Sequence, residues 1–118
     1  MDVDAPLPAP DVPGLDVALC KAREADRPVF LSAGSLVGVV RNWVGFEAFA
    51  MLAYDDPAWL EDMIEMCCRD AERQVRQFGE NGAPIDVIHF WEDICFKNGP
   101  MMNPRHFREF VTPRYRRI

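Results

Sequence analysis

Apolar side chains recur at helical spacing in two stretches of the chain. Those at Leu15, Ala18, Leu19 and Ala22 predict a short helix over roughly 14–25. The longer stretch begins with Asp56, a preferred capping residue, and Pro57, which suits the first helical position. Its apolar positions, three or four residues apart, are Leu60, Met63, Ile64, Cys67, Ala71, Val75 and Phe78. This pattern predicts an amphipathic helix about 30 Å long that ends at Gly79 or Gly82.

Two short apolar runs predict buried strands. "PVFLS" covers 28–32, and the apolar part of "APIDVIHFW" covers 85–91. Residues 33–54 are apolar nearly all round, with glycines at 34, 38 and 45, and predict one or two helical segments. Near the end, Asn103 and Pro104 predict the start of a further helix, whose pattern Pro113 interrupts.

The order of these elements predicts an α/β fold. A crossover as long as the one between the two strands is typical of parallel β-α-β units. Two strands do not form a sheet that helices can cover on both faces, whereas a (β/α)8 barrel has eight strands and about 250 residues. We therefore expect one partial domain over 14–118 of a larger parallel fold. Before it, 1–13 hold four prolines and predict an extended lead-in.

Composition narrows the class of protein. Hydrophobic residues make up 49% and charged residues 27% of the 118 positions, which is ordinary for a globular protein. The net charge of −6 disfavours nucleic acid and anionic membranes as partners. The C-terminal segment is locally basic, and we interpret its arginines as a solvated helical face rather than a phosphate site: Arg105, Arg108, Arg114, Arg116 and Arg117.

The four cysteines lack the spacing of a zinc ribbon or a thioredoxin-type motif. The sequence shows no signal peptide and no apolar run long enough to span a bilayer. We therefore expect a cytoplasmic protein with reduced thiols.

Two adjacent carboxylates, Glu92 and Asp93, directly follow the second predicted strand. Ligands of parallel α/β folds bind at the C-terminal ends of strands, so both are candidate catalytic residues. A carboxylate there acts as a general base, holds a cationic or N–H-rich ligand, or joins a metal shell. Neighbouring side chains point to opposite sides, so at most one faces the mouth of the fold. The alternative is that both only organise the loop by accepting its N–H groups.

Other candidate binding residues lie near the same strand ends. Ser32 ends the first predicted strand and is a candidate for lining the same mouth. Arg41 and Trp43 are candidates for carboxylate recognition and stacking, although an ion pair of Arg41 with Glu47 is an equal alternative.

The loop "CFKNGPMMNP" contributes further candidates. Lys97 is positioned to neutralise one carboxylate, and Asn98–Gly99 favours a turn with positive φ. Met101 is a candidate contact for a flat ligand, although such methionines also fill cores. His89 and Cys95 are a weak zinc signal, and we interpret His89 as a core histidine and expect no metal.

The longer motifs resemble those of the uroporphyrinogen decarboxylase superfamily. The resemblance rests on "YDDP" at a helix start, "WED" followed by "KNGP", and the spacing of arginine and proline in "NPRHFREFVTPRY". It covers roughly 29–118 and is closest to the uroporphyrinogen decarboxylase-like and corrinoid methyltransferase-like branches.

The resemblance implies a fragment of a TIM-like (β/α)8 barrel that decarboxylates the acetate groups of a tetrapyrrole without a cofactor. It adds Trp91, beside Glu92 and Asp93, as a cleft-lining residue. The family's substrate-binding aspartate and arginines, its histidine, and the zinc ligands of the methyltransferase branch belong to segments that this sequence does not contain. We therefore expect a small-molecule site that is inactive alone. The alternatives are methyl transfer to a corrinoid or thiol, and a non-catalytic helical homo-oligomer or binding module whose apolar strands another copy of the chain covers.

Overall fold

Mixed helices and strands make up residues 11–118, the part of the chain that the computed structural model describes. Residues 1–10 of the expected lead-in lie outside this range. Helix α1 (Leu15–Glu24) precedes strand β1 (Phe30–Ser32), and helices α2 (Gly38–Val44), α3 (Phe46–Asp55) and α4 (Pro57–Glu80) connect β1 to strand β2 (Val87–His89). The helices predicted over 14–25, within 33–54 and from Pro57 onward are confirmed.

A two-stranded parallel sheet joins β1 to β2, as the long crossover predicts. Phe30 pairs with Val87, Leu31 with Ile88 and Ser32 with His89. Both strands are shorter than predicted, because the Asp86 carboxylate accepts the Val29 N–H at 2.7 Å and the chain leaves the ladder after His89. The structure is therefore α/β.

One face of this sheet is open. Leu31 is buried, whereas Phe30 and Val87, which point the other way, are 61% and 40% exposed. His89 is on the exposed side too, so the interpretation of His89 as a core histidine is wrong. Alternation along a strand puts neighbours on opposite faces, and only one of these faces is covered.

The core lies among the helices. Its buried side chains come from the loop before α2, from α2, α3 and α4, and from the C-terminal segment: Leu36, Val37, Val40, Phe49, Leu52, Leu60, Met63, Ile64, Cys68, Met102, Phe110 and Val111. The Asp56 carboxylate accepts the Trp59 N–H at 3.0 Å, which is the predicted cap of α4.

A hairpin and an irregular helix complete the chain. Strands β3 (Cys95–Phe96) and β4 (Gly99–Pro100) are antiparallel, and Gly99 has the φ of 133° that the turn prediction requires of glycine. Helix α5 (Pro104–His106) starts at the predicted cap Asn103 and continues as a π-helical turn (Phe107–Val111) into α6 (Thr112–Tyr115).

Pro113 explains the π-helical turn. Proline has no N–H and its ring clashes with the carbonyl four residues earlier, and a wider turn relieves both problems. The chain therefore remains helical through a residue that breaks the regular α-helical pattern.

No helix within residues 11–118 is long and apolar enough to cross a membrane.

Candidate functional site

Glu92 connects the end of β2 to the start of α2. Its carboxylate accepts hydrogen bonds from the backbone N–H groups of Leu36 at 2.8 Å, Val37 at 2.9 Å and Gly38 at 3.1 Å. These donors belong to the first turn of α2 and the residues just before it, where backbone N–H groups have no intrahelical partner. A carboxylate at this position satisfies them and interacts favourably with the helix dipole.

Two hydroxyl groups complete the surroundings of Glu92. Ser35 Oγ donates to the carboxylate at 2.8 Å, and the Tyr115 hydroxyl donates to its other oxygen. Ser35 Oγ also accepts the N–H of Gly38 at 2.6 Å. Tyr115 is held in place by an edge-to-face contact with Phe90, with ring centroids 4.9 Å apart.

Protein donors therefore use the acceptor capacity of Glu92. An ionised carboxylate has about four lone-pair sites, and five donors approach this one. A general base must offer a lone pair to its substrate, and Glu92 has none left to offer. Its geometry is that of an anchor between the end of β2 and the start of α2.

Trp91 is in close contact with Gly38, the first residue of α2. A Cβ atom added to Gly38 would lie 2.7 Å from Trp91 Cζ3 and 2.8 Å from Ser35 Oγ. The Trp91 N–H also donates to the carbonyl of Gly34 at 3.0 Å. Trp91 therefore packs on the start of α2 and is only partly accessible to a ligand.

Asp93 points the opposite way from Glu92. Its side chain is 75% exposed, and its backbone has a φ of 45°, which aspartate tolerates better than most residues. Arg41 donates to the Asp93 carbonyl oxygen at 2.6 Å and lies 4.0 Å from its carboxylate. Arg41 thus pairs with Asp93, and the alternative ion pair with Glu47 is not formed. Asp93 is the carboxylate of the pair with free acceptor positions.

The remaining candidates do not all converge on the strand ends. Ser32 is exposed opposite His89 on the open sheet face. Lys97 lies with Nζ 5.9 Å from the Phe96 ring, and among residues 11–118 it forms no ion pair with Glu92 or Asp93. Met101 is partly buried, and its N–H donates to the Ile94 carbonyl.

A cleft of about 210 Å³ opens beside the end of β1. Its walls come from the β1–α2 loop, α2 and α4, and comprise Ala33, Gly34, Ser35, Val39, Trp43, Met66, Cys67, Asp70 and Gln74. Asp70 already accepts the Gln74 side-chain amide at 2.8 Å. Of the predicted binding residues, Trp43 lines this cleft, whereas Ser32, Arg41, Trp91, Lys97 and Met101 do not.

Cys67 is the nucleophilic side chain of this cleft, but it is poorly activated. Burial, followed by the charges of Asp70 and Glu92, raises the pKa of the Cys67 thiol to about 11. The reactive form of cysteine is the thiolate, so Cys67 is a weak nucleophile at neutral pH.

His89 and Cys95, the weak zinc signal of the sequence, lie apart in the structure. Within residues 11–118, no three His, Cys, Asp or Glu side chains are grouped closely enough to hold a metal ion. His89 and Cys95 belong to separate two-stranded sheets and are both exposed.

Two of the C-terminal arginines form an ion-pair network with α4. Arg114 contacts Glu61 at 2.8 Å and Glu65 at 3.0 Å, and Arg117 pairs with both oxygens of Glu72 at 3.0 Å as well as with Glu65. Burial would raise the pKa of Glu65, but hydrogen bonds from Arg117 and Arg114 hold it below its ordinary value. This part of the basic segment therefore attaches the last helix to α4 and is not a solvated face.

Ser35 and Tyr115 are the site residues that sequence reasoning missed. Ser35 carries a usable signal, because serine near a helix start often accepts a backbone N–H group, as Ser35 does from Gly38. Tyr115 carries none, since it lies in a helix 23 residues after Glu92.

Comparisons of the chain with protein-family models, curated proteins and solved structures find no significant match.

Proposed function

We propose that this chain is a segment of a TIM-like barrel enzyme similar to uroporphyrinogen decarboxylase, and that it supplies part of the rim of a small-molecule site. The observation that carries the proposal is the parallel β1–β2 pair with its helical crossover and one open face. Barrel strands have helices on one face and the packed barrel interior on the other. An exposed Phe30 and Val87 fit an interior that further strands would fill.

Within this proposal, Asp93 takes the functional role and Glu92 a positioning role. Asp93 has accessible acceptor oxygens at the C-terminal edge of the sheet, where ligands of parallel α/β folds bind. Its carboxylate would accept N–H groups of a pyrrole-containing substrate. Glu92 would keep the β2 end attached to α2, so that Asp93 remains at the rim.

The size of the cleft limits how such a substrate binds. At about 210 Å³ it is smaller than the roughly 300–1,000 Å³ of pockets for drug-sized ligands. A whole tetrapyrrole exceeds it, so the macrocycle would lie across the rim near Asp93, outside the cleft.

Binding of uroporphyrin tests the proposal. This air-stable tetrapyrrole has pyrrole N–H groups, and its absorption changes when it binds protein. We expect Asp93→Asn to weaken its binding by about tenfold, the size of one lost charge-assisted hydrogen bond. Asp16→Asn in α1 changes the net charge equally and should leave binding unchanged. Equal binding by the two variants, or no binding by the unmodified chain, would count against the proposal.

Methyl transfer is the second candidate, and the small cleft favours it. A volume of about 210 Å³ suits a methylated compound of a few heavy atoms better than a tetrapyrrole. The raised pKa of Cys67 argues against this thiol as the methyl acceptor. Protection of Cys67 from alkylation by small methylamines or methyl thioethers, without uroporphyrin binding, would favour this candidate over the first.

A non-catalytic helical oligomer or binding module is the third candidate. The open sheet face supports it, because a second copy of the chain would bury Phe30 and Val87. Light scattering with a thermal melt distinguishes it. A monodisperse oligomer with a cooperative melt supports a self-sufficient module, and aggregation with a broad melt supports dependence on further barrel strands.

A further inference from the structure

An apolar groove with a cavity of about 530 Å³ lies between α2, α3 and α4. Three large side chains that line the groove are half exposed: Trp43 at 54%, Met51 at 50% and Trp59 at 52%. Leu52 and Met63 form a buried floor. Aromatic residues and methionine are enriched in the cores of protein interfaces, so this groove has the composition of a docking surface.

Helix α3 exposes large apolar side chains beside two carboxylates. Phe49 and Leu52 face the core, whereas Phe46 and Met51 are at least half exposed, and Glu47 and Asp55 are exposed as well. Aromatic residues and methionine grouped on an exposed surface are typical of interaction sites. The α3 surface is therefore a better candidate for a covered surface than an isolated exposed side chain would be.

The charges around the groove indicate what covers it. From Arg41 to Arg69 the chain carries six carboxylates and no lysine or arginine between them. Asp55 lines the groove, Glu47 lies one helical turn before Met51, and Asp62 lies three residues after Trp59. Among residues 11–118, Glu47, Asp55 and Asp62 form no ion pair.

A symmetric dimer through this groove is electrostatically unfavourable. A twofold interface puts the same surface of each copy face to face. The carboxylates of Glu47, Asp55 and Asp62 would then approach those of the second copy, and like charges across an interface cost several kcal/mol. A partner with positive charges flanking its apolar side chains has no such cost.

We propose that the groove binds a helical segment of another protein that has apolar anchors and flanking lysine or arginine residues. Apolar side chains at three- and four-residue spacing would enter the groove between Met51 and Trp59, as in other helix-in-groove complexes. Cations next to them would pair with Asp55 and the neighbouring carboxylates. The groove lies among α2, α3 and α4, so its binding of a helix does not depend on the function proposed for the strand ends.

Binding of two designed peptides tests this proposal. Both are amphipathic helices of about 14 residues with leucine at the same positions. All the remaining positions are lysine in one peptide and glutamate in the other. Fluorescence anisotropy should detect binding of the lysine peptide and not of the glutamate peptide. Trp59→Ala should weaken this binding by about tenfold or more, as expected for a central aromatic residue. Phe96→Ala removes an aromatic side chain that is 67% exposed on the hairpin, and should have an effect below about twofold.

A charge-matched pair of variants separates a local contact from attraction to an acidic protein. Asp55→Asn should weaken binding of the lysine peptide more than Asp16→Asn, which changes the net charge equally on α1. Circular dichroism checks that each variant is folded. Equal binding of both peptides, equal effects of the paired variants, or no binding would overturn the proposal. A homodimer that dissociates on Trp59→Ala substitution would also overturn it.

Discussion

Glu92→Gln should destabilise the protein strongly, although it replaces only one side-chain oxygen with an NH2 group. In the native structure, one carboxylate oxygen accepts from Ser35, Val37 and Gly38, and the other accepts from Leu36 and Tyr115. Glutamine replaces one of these oxygens with an NH2 group, which is a donor. Whichever oxygen is replaced, at least one backbone N–H faces another donor.

The size of the effect follows from burial. Leu36 and Val37 are 0% and 1% exposed, so water does not replace the lost acceptor. An unsatisfied buried donor costs about 1–3 kcal/mol, and the remaining hydrogen bonds become weaker without the negative charge. We expect Glu92→Gln to lower the free energy of unfolding by about 2–4 kcal/mol, a large part of the total for a domain of this size.

Asp93→Asn is the matched control at the neighbouring position. Its side chain is 75% exposed, and the Arg41 hydrogen bond is to its backbone carbonyl oxygen, which the substitution retains. Asparagine also tolerates a positive φ. We expect a change below about 0.5 kcal/mol, as for most exposed substitutions.

Urea denaturation followed by circular dichroism measures both variants. With a urea dependence of about 1.5 kcal/mol per molar, a loss of about 2–4 kcal/mol lowers the midpoint by about 1.3–2.7 M. Amide hydrogen exchange at Leu36 and Val37 is the local test, and should accelerate by about 30-fold or more in Glu92→Gln. Equal midpoints and equal exchange rates in the two variants would refute the role of Glu92 as an anchor.

Packing at Gly38 and the ion pairs between α4 and the C-terminal arginines are tested by further substitutions. Gly38→Ala should destabilise by about 2 kcal/mol because its Cβ would overlap Trp91, whereas Gly79→Ala, which has open space around its Cβ, should be neutral or stabilising in thermal melts. Folding lowers the pKa of the Glu65 carboxyl, so the ionised form of Glu65 stabilises the protein. This stabilisation is complete above the unfolded pKa of about 4.3 and is lost as the pH falls through the lower folded pKa. Arg117→Met should reduce the loss of stability between pH 5 and pH 3 in urea titrations, and an unchanged pH dependence would exclude this ion pair as its source.

Local signals allowed the helices to be predicted from the sequence. The Asp56 cap, the following Pro57 and an apolar stripe all act within one helix, so they identify α4 without knowledge of its neighbours. The parallel pairing of β1 with β2 was predictable as well, because it follows from the length of the crossover. The open sheet face was not, since apolar runs indicate buried strands without indicating what buries them.

The role of Glu92 depends on contacts that no local pattern contains. Its backbone donors lie 54–56 residues earlier in the chain, and the Tyr115 hydroxyl lies 23 residues later. The sequence rule that adjacent side chains point to opposite sides predicted that the two carboxylates would differ. It did not predict which of them would accept the N–H groups at the start of α2, because that depends on where α2 begins in three dimensions.

The contrast between Glu92 and Asp93 also determines how loss of function should be interpreted. Loss of ligand binding in a Glu92 variant would accompany detachment of α2, so it would not identify Glu92 as a catalytic residue. Loss of binding in an Asp93 variant would occur in an intact fold, because that side chain is exposed and its backbone contact is retained. Stability and binding measured on the same two variants therefore distinguish the structural role of Glu92 from the binding role of Asp93. Of these two carboxylates, only Asp93 has the free acceptor that a substrate requires.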